Sequence, residues 1–244
     1  MFTHNLDPVI FNLGFISLRW YSLAYVLGIL IGWWYGKKLI SNKSQQLKEK
    51  FNLKHFDDLI TYLVISIIIG GRLGYVAFYN IQYYLSNPID ILKIWEGGMS
   101  FHGALIGIIL GTYIFSIRRK IETLFLLDIV ACVSPIGIFF GRIANFINGE
   151  LVGKVSSVPW SVIFPSIDLT PRHPSQLYEA ALEGLLLFLV LNIIFFKKKY
   201  KIGSCSYFFL IYYGVFRIIS ELFREPDVQL GYIFNIASMG SILS

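Results

Sequence analysis

Six long apolar runs constrain this chain more than any other feature of its sequence. They cover residues 18–35, 59–79, 99–117, 124–140, 177–196 and 204–222. Each falls within the range of about 17–25 residues that a helix needs to cross a bilayer of about 30 Å. Inside lipid the backbone must satisfy its own hydrogen bonds, and an α-helix does so within one segment. The runs therefore predict an all-α, polytopic bundle of membrane helices.

Composition and the end of the chain complete this predicted architecture. Of the 244 residues, 55% are hydrophobic and 15% are charged, whereas soluble domains have about 25% charged residues. A last apolar segment, residues 233–244, has twelve residues, and as a helix it would be about 18 Å long, too short to span alone. We expect six full spans and a short or truncated seventh, all within one transmembrane domain of residues 1–244.

Basic residues in the short loops predict the orientation. They cluster after the first, third and fifth spans, and by the positive-inside rule these loops are cytoplasmic and the N-terminus is outside. We read the net charge of +6 as part of this topology signal and expect no nucleic-acid partner. The longest outside loop, about residues 145–176, is expected to form a small head. The clustered basic residues are Lys37, Lys38, Lys43, Lys48, Lys50, Lys54, Arg118, Arg119, Lys120, Lys197, Lys198, Lys199 and Lys201.

Several polar residues within the spans lie at a similar depth, in the outer third of the membrane. This depth follows from a rise of about 1.5 Å per residue along each helix. From the cytoplasmic ends, Arg72 lies about 21 Å up the second span, Arg142 about 27 Å up the fourth and Arg217 about 21 Å up the sixth. The outer ends of the first and third spans carry Tyr21 and His102. Ionisable groups at such depth usually face a protein interior or a wet cavity and often mark a substrate path.

Three arginines at similar depth indicate an anion. Like charges gathered in a low dielectric repel one another unless an anion joins them. A phosphate suits this role, because the planar guanidinium binds it with two prongs. Each arginine taken singly has another reading, as a side chain that extends to the interface or as half of a buried ion pair.

One stripe of the sixth span carries four polar residues, Tyr213, Arg217, Glu221 and Arg224, at spacings of four, four and three. Residues at these spacings share a helix face, so Glu221 is placed to hold both arginines in register. The alternative is a salt-bridge ladder that satisfies itself without any ligand.

The stretch "GRIANFINGELVGK" follows the fourth apolar run and carries Arg142, Asn145, Asn148, Glu150 and Gly153. Its glycines permit positive φ and a close backbone approach. We interpret the stretch as a helix end that turns to cradle a polar group, although capping by Asn148 with Glu150 exposed would explain part of it.

The third span opens with "GGMSFHGALIGIILG", in which Gly103, Gly107 and Gly111 share one face and predict a close helix neighbour. His102 lies beside this face at the outer rim. A lone histidine there is either structural or a base that titrates near neutral pH. The sequence has no metal-binding pattern such as His-Glu-x-x-His, so we expect neither a metal nor a cofactor.

These motifs resemble one known family, the prolipoprotein diacylglyceryl transferases of the bacterial plasma membrane. Residues 141–153 match the family signature G-R-x-G/A-N-F-x-N-x-E-x-x-G at every fixed position. The resemblance covers residues 7–244, but family members continue past the final "SMG-x-ILS" motif, inside which this chain ends. Further matching stretches are "DPVIFNLG", "RWYSLAY", "GGRLGYVAFY", "WEGGMSFHGALIG", "RHPSQLYEA" and "YGVFRIISELFREPD".

The resemblance implies a seven-helix enzyme of the inner membrane. It would transfer the diacylglyceryl group of phosphatidylglycerol to the lipobox cysteine of prolipoproteins, and glycerol phosphate would leave. The matching motifs make Tyr21, His102, Arg142, Asn145 and Arg217 the expected catalytic residues, with His102 as the candidate base and the two arginines as a phosphate clamp. Substrate binding is expected of Arg72, Arg142, Glu150, Gly153, Tyr213, Arg217, Glu221 and Arg224.

Other functional classes fit the sequence less well. A lipid or anion transporter would tend to show inverted repeats and a site near the bilayer midplane, whereas this chain shows no repeat and has its polar residues on one side. An assembly or chaperone protein would not need the set of arginines. An intramembrane protease is disfavoured because no G-x-S-x-G motif or pair of membrane aspartates is present.

Overall fold

The computed structural model describes residues 2–12, 14, 17–42, 51, 53–225, 232–233 and 237–238. Most of these residues are helical, which confirms the main part of the predicted fold class, and short strands accompany the helices. The helices are α1 (Trp20–Ser41), α2 (Leu53–Tyr79), α3 (Ile81–Ser86), α4 (Phe101–Arg119), α5 (Thr123–Asn148), α6 (Ser175–Phe195) and α7 (Ser204–Glu221). The strands are β1 (Phe2–Thr3), β2 (Val9–Asn12), β3 (Ser17–Arg19), β4 (Val162–Ile163), β5 (Pro171–Arg172), β6 (Tyr232–Ile233) and β7 (Ala237–Ser238).

Four of the described helices, α2, α4, α5 and α6, are long and apolar enough to cross a membrane. Helices α1 and α7 overlap the first and sixth predicted spans, but their tyrosine, tryptophan and charged residues make them less apolar. The described residues of the predicted seventh helix form the antiparallel pair β6 and β7 instead, and its other residues lie outside the described part of the chain. The count of six spans and the outside N-terminus stay predictions.

Contacts divide the chain into two compact units, one of Met1–Tyr35 with Val130–Ser244 and the other of Gly36–Ile129. The single domain that we expected stays a prediction. In the unit of Gly36–Ile129, α2 packs against α4 through glycines. A Cβ added at Gly103 or Gly107 would meet backbone atoms of α2, so the predicted close helix contact is confirmed.

Helix α2 also has an apolar face that none of the described residues covers. Ile65, Ile69 and Leu73 follow one another at intervals of four and are all exposed. Large exposed apolar surfaces are rare on monomeric soluble proteins and mark contact with a membrane or a partner. This face is therefore suited to contact lipid.

A small head forms in the other unit between α5 and α6. Strand β4 pairs with β1 in parallel and with β5 in antiparallel fashion. Val152, Val162 and Phe164 form a buried core against which Phe146 packs. His4 joins it, because its Nε2 donates to Phe146 O at 2.8 Å. The head thus ties β1 to the segment that follows α5.

Candidate functional site

Three arginines and three glutamates meet among helices α5, α6 and α7, and we call this group the arginine–glutamate cluster. Arg142 comes from α5, near its C-terminal end, and Arg217 comes from α7. The chain just beyond α7 contributes Arg224, which is held there by a backbone bridge to Gly153. The glutamates are Glu179 and Glu183 of α6 and Glu221 of α7.

Glu179 lies at the centre of the cluster and contacts all three arginines. Its Oε2 lies 3.0 Å from Nη1 of Arg142, and its Oε1 pairs with Nη1 of Arg217 and lies 3.3 Å from Nη1 of Arg224. One carboxylate therefore connects α5, α6 and the end of α7, which fixes the positions of these side chains relative to one another.

Glu183 and Glu221 complete the charge balance. Glu183 Oε2 accepts a hydrogen bond from Nη2 of Arg142 at 3.0 Å, and its Oε1 lies 3.6 Å from Nη1 of Arg217. Glu221 Oε2 lies 2.9 Å from Nη2 of Arg217. Three positive charges thus face three negative charges, as buried ions require if they are to be tolerated.

The local helix geometry brings the two glutamates of α6 close to α5. Glu179 and Glu183 are four residues apart and share a face, and Ala180–Leu186 between and after them form a π-helical stretch. Such stretches are rare and often occur at functional sites. Next to Glu183, a Cβ on Gly184 would meet Cα and Cβ of Phe139, so the glycine allows α5 to approach.

Burial is unequal across the cluster. The side chains of Glu179 and Glu183 are 0% exposed, whereas those of Arg142 and Arg217 are 17% and 11% exposed. The carboxylates of Glu179 and Glu183 therefore lie deeper than the guanidinium groups of Arg142 and Arg217, so a molecule that approaches from solvent or lipid reaches these two arginines before these two glutamates. This arrangement presents hydrogen-bond donors and positive charge to an incoming group.

The part of the family signature that follows α5, residues 149–153, forms a loop that we call the signature loop. Its Glu150 side chain accepts hydrogen bonds from the end of α5. Asn145 donates from Nδ2 to Glu150 Oε1 at 2.8 Å, and Asn148 donates to the same oxygen at 3.3 Å. Helix α5 ends there, with Gly149 at φ 67°, in the left-handed region that glycine adopts readily. Gln176 of α6 donates to the backbone oxygen of Glu150 at 2.6 Å. The predicted turn at this helix end is present, and α6 holds it in place.

Gly153 lies where three chain segments touch. Its N–H donates to His173 O at 3.0 Å, and its own carbonyl accepts from Nη1 of Arg172 at 3.0 Å. A Cβ at this position would collide with His173 O and Phe223 O, so no larger residue fits. Arg172 also pairs with Asp168 at 2.6 Å, and this pairing holds the pKa of the Asp168 carboxyl below its usual range.

The two tyrosines of the predicted site each have an aromatic neighbour in the same helix. The ring of Tyr21 lies 5.0 Å from that of Tyr25 in α1. Tyr213 lies one helical turn before Arg217 in α7, and its ring stacks on Phe209 at 5.7 Å. Their predicted roles in catalysis and substrate binding stay predictions.

Arg72 and His102 belong to the unit of Gly36–Ile129. The buried Arg72 donates to four backbone oxygens, those of Asp90 at 2.6 Å, Ile91 at 2.9 Å, Gly97 at 2.6 Å and Gly98 at 3.3 Å. It therefore organises the segment between α3 and α4. His102 is the second residue of α4, half-buried, with its ring edge-to-face to Phe101 at 5.5 Å. That both residues act with the arginine–glutamate cluster stays a prediction.

Sequence analysis missed Glu179 and Glu183. The signal was present, because both are acidic residues within the fifth apolar run and lie four positions apart. Ionisable residues inside a span are costly and call for a partner of opposite charge. We also expected Glu221 to hold both arginines of the sixth span. The structure shows its contact with Arg217 and adds Glu179, which contacts Arg217 and Arg224.

Known proteins similar to this chain agree with the sequence signature. The family model described as prolipoprotein diacylglyceryl transferase matches residues 8–244. Relatives named phosphatidylglycerol–prolipoprotein diacylglyceryl transferase include that of Rickettsia felis, 54% identical over 98% of this chain and 92% of the relative. The one from Rickettsia bellii is 55% identical over 98% and 90%, and that of Rickettsia typhi is 53% identical over 100% and 93%. The chain therefore belongs to the prolipoprotein diacylglyceryl transferase family.

Proposed function

We propose that this protein transfers the diacylglyceryl group of phosphatidylglycerol to the lipobox cysteine of prolipoproteins, the first step of lipoprotein maturation. Family membership supports the reaction. The observation that carries the assignment of the site is the arginine–glutamate cluster, which buries Glu179 and Glu183 completely and leaves Arg142 and Arg217 partly accessible. An anionic phospholipid head group is complementary to such a site.

In the proposed reaction the cysteine sulfur attacks the glycerol carbon that carries the phosphate ester. A C–S bond forms, the C–O bond to phosphate breaks, and glycerol phosphate leaves with the electron pair. The thiol must lose its proton, because a free thiol with a pKa of about 8.5 is a poor nucleophile at neutral pH. The phosphate gains charge as it leaves, so cationic groups held in a low dielectric lower the barrier.

Arg142 and Arg217 have donors to spare for this phosphate. A guanidinium has five N–H groups, and the contacts of Arg142 with Glu179 and Glu183 involve one nitrogen each, Nη1 and Nη2. The carboxylates fix the orientation of the guanidinium before substrate arrives, which reduces the cost of reorganisation during the reaction. We assign the two arginines as the phosphate clamp, with Glu221 orienting Arg217 and with Glu221 and Arg224 also contributing to substrate binding.

The remaining predicted residues would complete the site. His102 is the proposed general base, because histidine is the side chain that most often transfers protons in enzymes. Tyr21, Asn145 and Glu150 would orient the head group, Tyr213 and Arg72 would contribute to substrate binding, and the signature loop would approach the head group at Gly153. Lipid would enter from the side and peptide from above, held in line for transfer.

The proposed topology places this chemistry at the outer face of the bacterial inner membrane. Six spans with the N-terminus outside put the ends of α5, α6 and α7 that carry the cluster at the outer surface. Basic loops on the opposite side support this orientation. The small head, which joins α5 to α6, would then contact prolipoproteins that emerge from the membrane.

A mass spectrum tests the proposed reaction directly. A lipobox peptide incubated with the purified protein and phosphatidylglycerol is expected to gain the mass of one diacylglyceryl group on its cysteine. A peptide with serine in place of that cysteine, and a reaction without the lipid, serve as controls. If the cysteine peptide keeps its mass while the folded protein binds the lipid, the proposed activity is wrong.

Replacing His102 with glutamine is expected to lower kcat by at least about 100-fold, the scale of general-base catalysis. Lipid should still bind, so KM for phosphatidylglycerol should change by less than about 3-fold. The matched control is His55→Gln, which alters a histidine of the same unit near the start of α2. A normal turnover for His102→Gln would remove this residue from the role of base.

A further inference from the structure

A groove lies between α6 and α7, at the ends far from the arginine–glutamate cluster. Its volume is about 390 Å³, and its walls include Val190 and Ile193 of α6 and Phe208 and Tyr212 of α7. Lys197 at its rim follows Glu179 by eighteen residues, which corresponds to about 27 Å along a helix. The groove is therefore separate from the proposed active site.

Three lysines line the rim of this groove, Lys197, Lys199 and Lys201. All three are exposed. Within the described part of the chain, none of their ammonium groups pairs with a carboxylate. Three like charges close together, without acidic residues among the lining, favour an anion from outside the chain.

The start of α7 adds to this positive field. The helix begins at Ser204, which also lines the groove, and its N-cap residue Gly203 has φ 91° and offers no side chain to cap the first turn. The N-terminus of a helix carries a partial positive charge and N–H groups that suit an anion. The lysines and this helix end thus both contribute positive charge at the mouth of the groove.

The walls below the rim suit a hydrocarbon chain. Val190, Ile193 and Phe208 present apolar side chains, and the ring of Phe208 stacks on Tyr212 at 5.8 Å. An apolar groove with a cationic mouth is complementary to a molecule with a negative head and a long apolar tail. Basic pockets between membrane helices on the cytoplasmic side bind anionic lipids for this reason.

We propose that this groove binds an anionic phospholipid, with its phosphate at Lys197, Lys199 and Lys201 and one acyl chain along Val190, Ile193 and Phe208. In the predicted topology the lipid comes from the cytoplasmic leaflet. It would brace the inner ends of α6 and α7, the two helices that carry Glu179, Glu183 and Arg217 at their other ends. This site is distinct from that of the proposed reaction and does not depend on it.

Native mass spectrometry of the purified protein tests this site. Phosphatidylserine is the probe, because it is anionic and is not the proposed substrate, and phosphatidylcholine with the same acyl chains is the neutral comparison. The variant Lys197→Gln/Lys199→Gln/Lys201→Gln is expected to bind phosphatidylserine at least about 10-fold more weakly than the wild type. The matched control Lys54→Gln/Lys120→Gln/Lys198→Gln removes the same charge from exposed positions outside the groove and is expected to bind normally.

Two further measurements separate a lipid site from a simple anion site. Inorganic phosphate at millimolar concentration should fail to displace phosphatidylserine, since it has no tail to place in the groove. Val190→Phe should narrow the groove and weaken binding without changing charge. Equal binding by the two triple variants, equal binding of phosphatidylcholine, displacement by phosphate or no effect of Val190→Phe would each overturn the proposal. An unchanged melting temperature in every variant confirms that folding is not the cause.

Discussion

Replacing Arg217 with lysine is expected to lower the rate of diacylglyceryl transfer by at least about 100-fold while the protein stays folded. Arg217 uses Nη1 for Glu179 and Glu183 and Nη2 for Glu221. A lysine keeps the positive charge but presents one compact ammonium group. It cannot span the three carboxylates and at the same time offer a two-pronged contact to phosphate.

The rate is measured from the mass gain of the lipobox peptide over time at several concentrations of phosphatidylglycerol. The matched control is Arg118→Lys, because Arg118 is exposed and donates to Tyr62 OH at 2.9 Å within the unit of Gly36–Ile129. A rate for Arg217→Lys within about 3-fold of the wild type would contradict a bidentate phosphate contact.

Replacing Glu179 with glutamine is expected to lower the free energy of unfolding by about 3–5 kcal/mol. The amide has the shape of the carboxylate but no charge, so three buried arginines would face two glutamates. An uncompensated buried charge costs far more than the ion pair contributes. Glu179 is 0% exposed and contacts all three arginines, so solvent cannot compensate.

The loss should appear as a lower melting temperature in detergent and a lower midpoint in denaturant. Glu122→Gln, at an exposed position just before α5, is the control and should leave both values unchanged. Glu179→Gln combined with Arg224→Gln should recover part of the loss, because the cluster is again neutral. A wild-type melting temperature for Glu179→Gln would show that the described contacts do not stabilise the fold.

These two results together separate the two interpretations of the arginines. If the arginines form a salt-bridge ladder without a ligand, substitutions in the cluster should lower the stability of the protein but leave the transfer rate of the folded molecules unchanged. If the arginines form a phosphate clamp, Arg217→Lys should lower the transfer rate even when the melting temperature is unchanged. The partial exposure of Arg142 and Arg217 above fully buried glutamates favours the second interpretation.

The sequence alone determined the helical membrane character, the position of most helices and the family signature. Long apolar runs admit few structures in lipid, because the backbone must bond to itself within each segment. The glycines of α4 likewise predicted a closely packed neighbouring helix, and this helix is α2. The turn after α5 followed from the glycines and asparagines of residues 141–153. All of these properties depend on short stretches of chain.

Only the tertiary structure decided how the charges are paired. Glu179 and Glu183 balance Arg142 of another helix, and Arg72, for which anion binding stays a prediction, donates to backbone oxygens such as that of Asp90. Spacing along one helix shows which residues share a face, but not which face of another helix it meets. That choice depends on the rotation and packing of whole helices, which no single segment of sequence encodes.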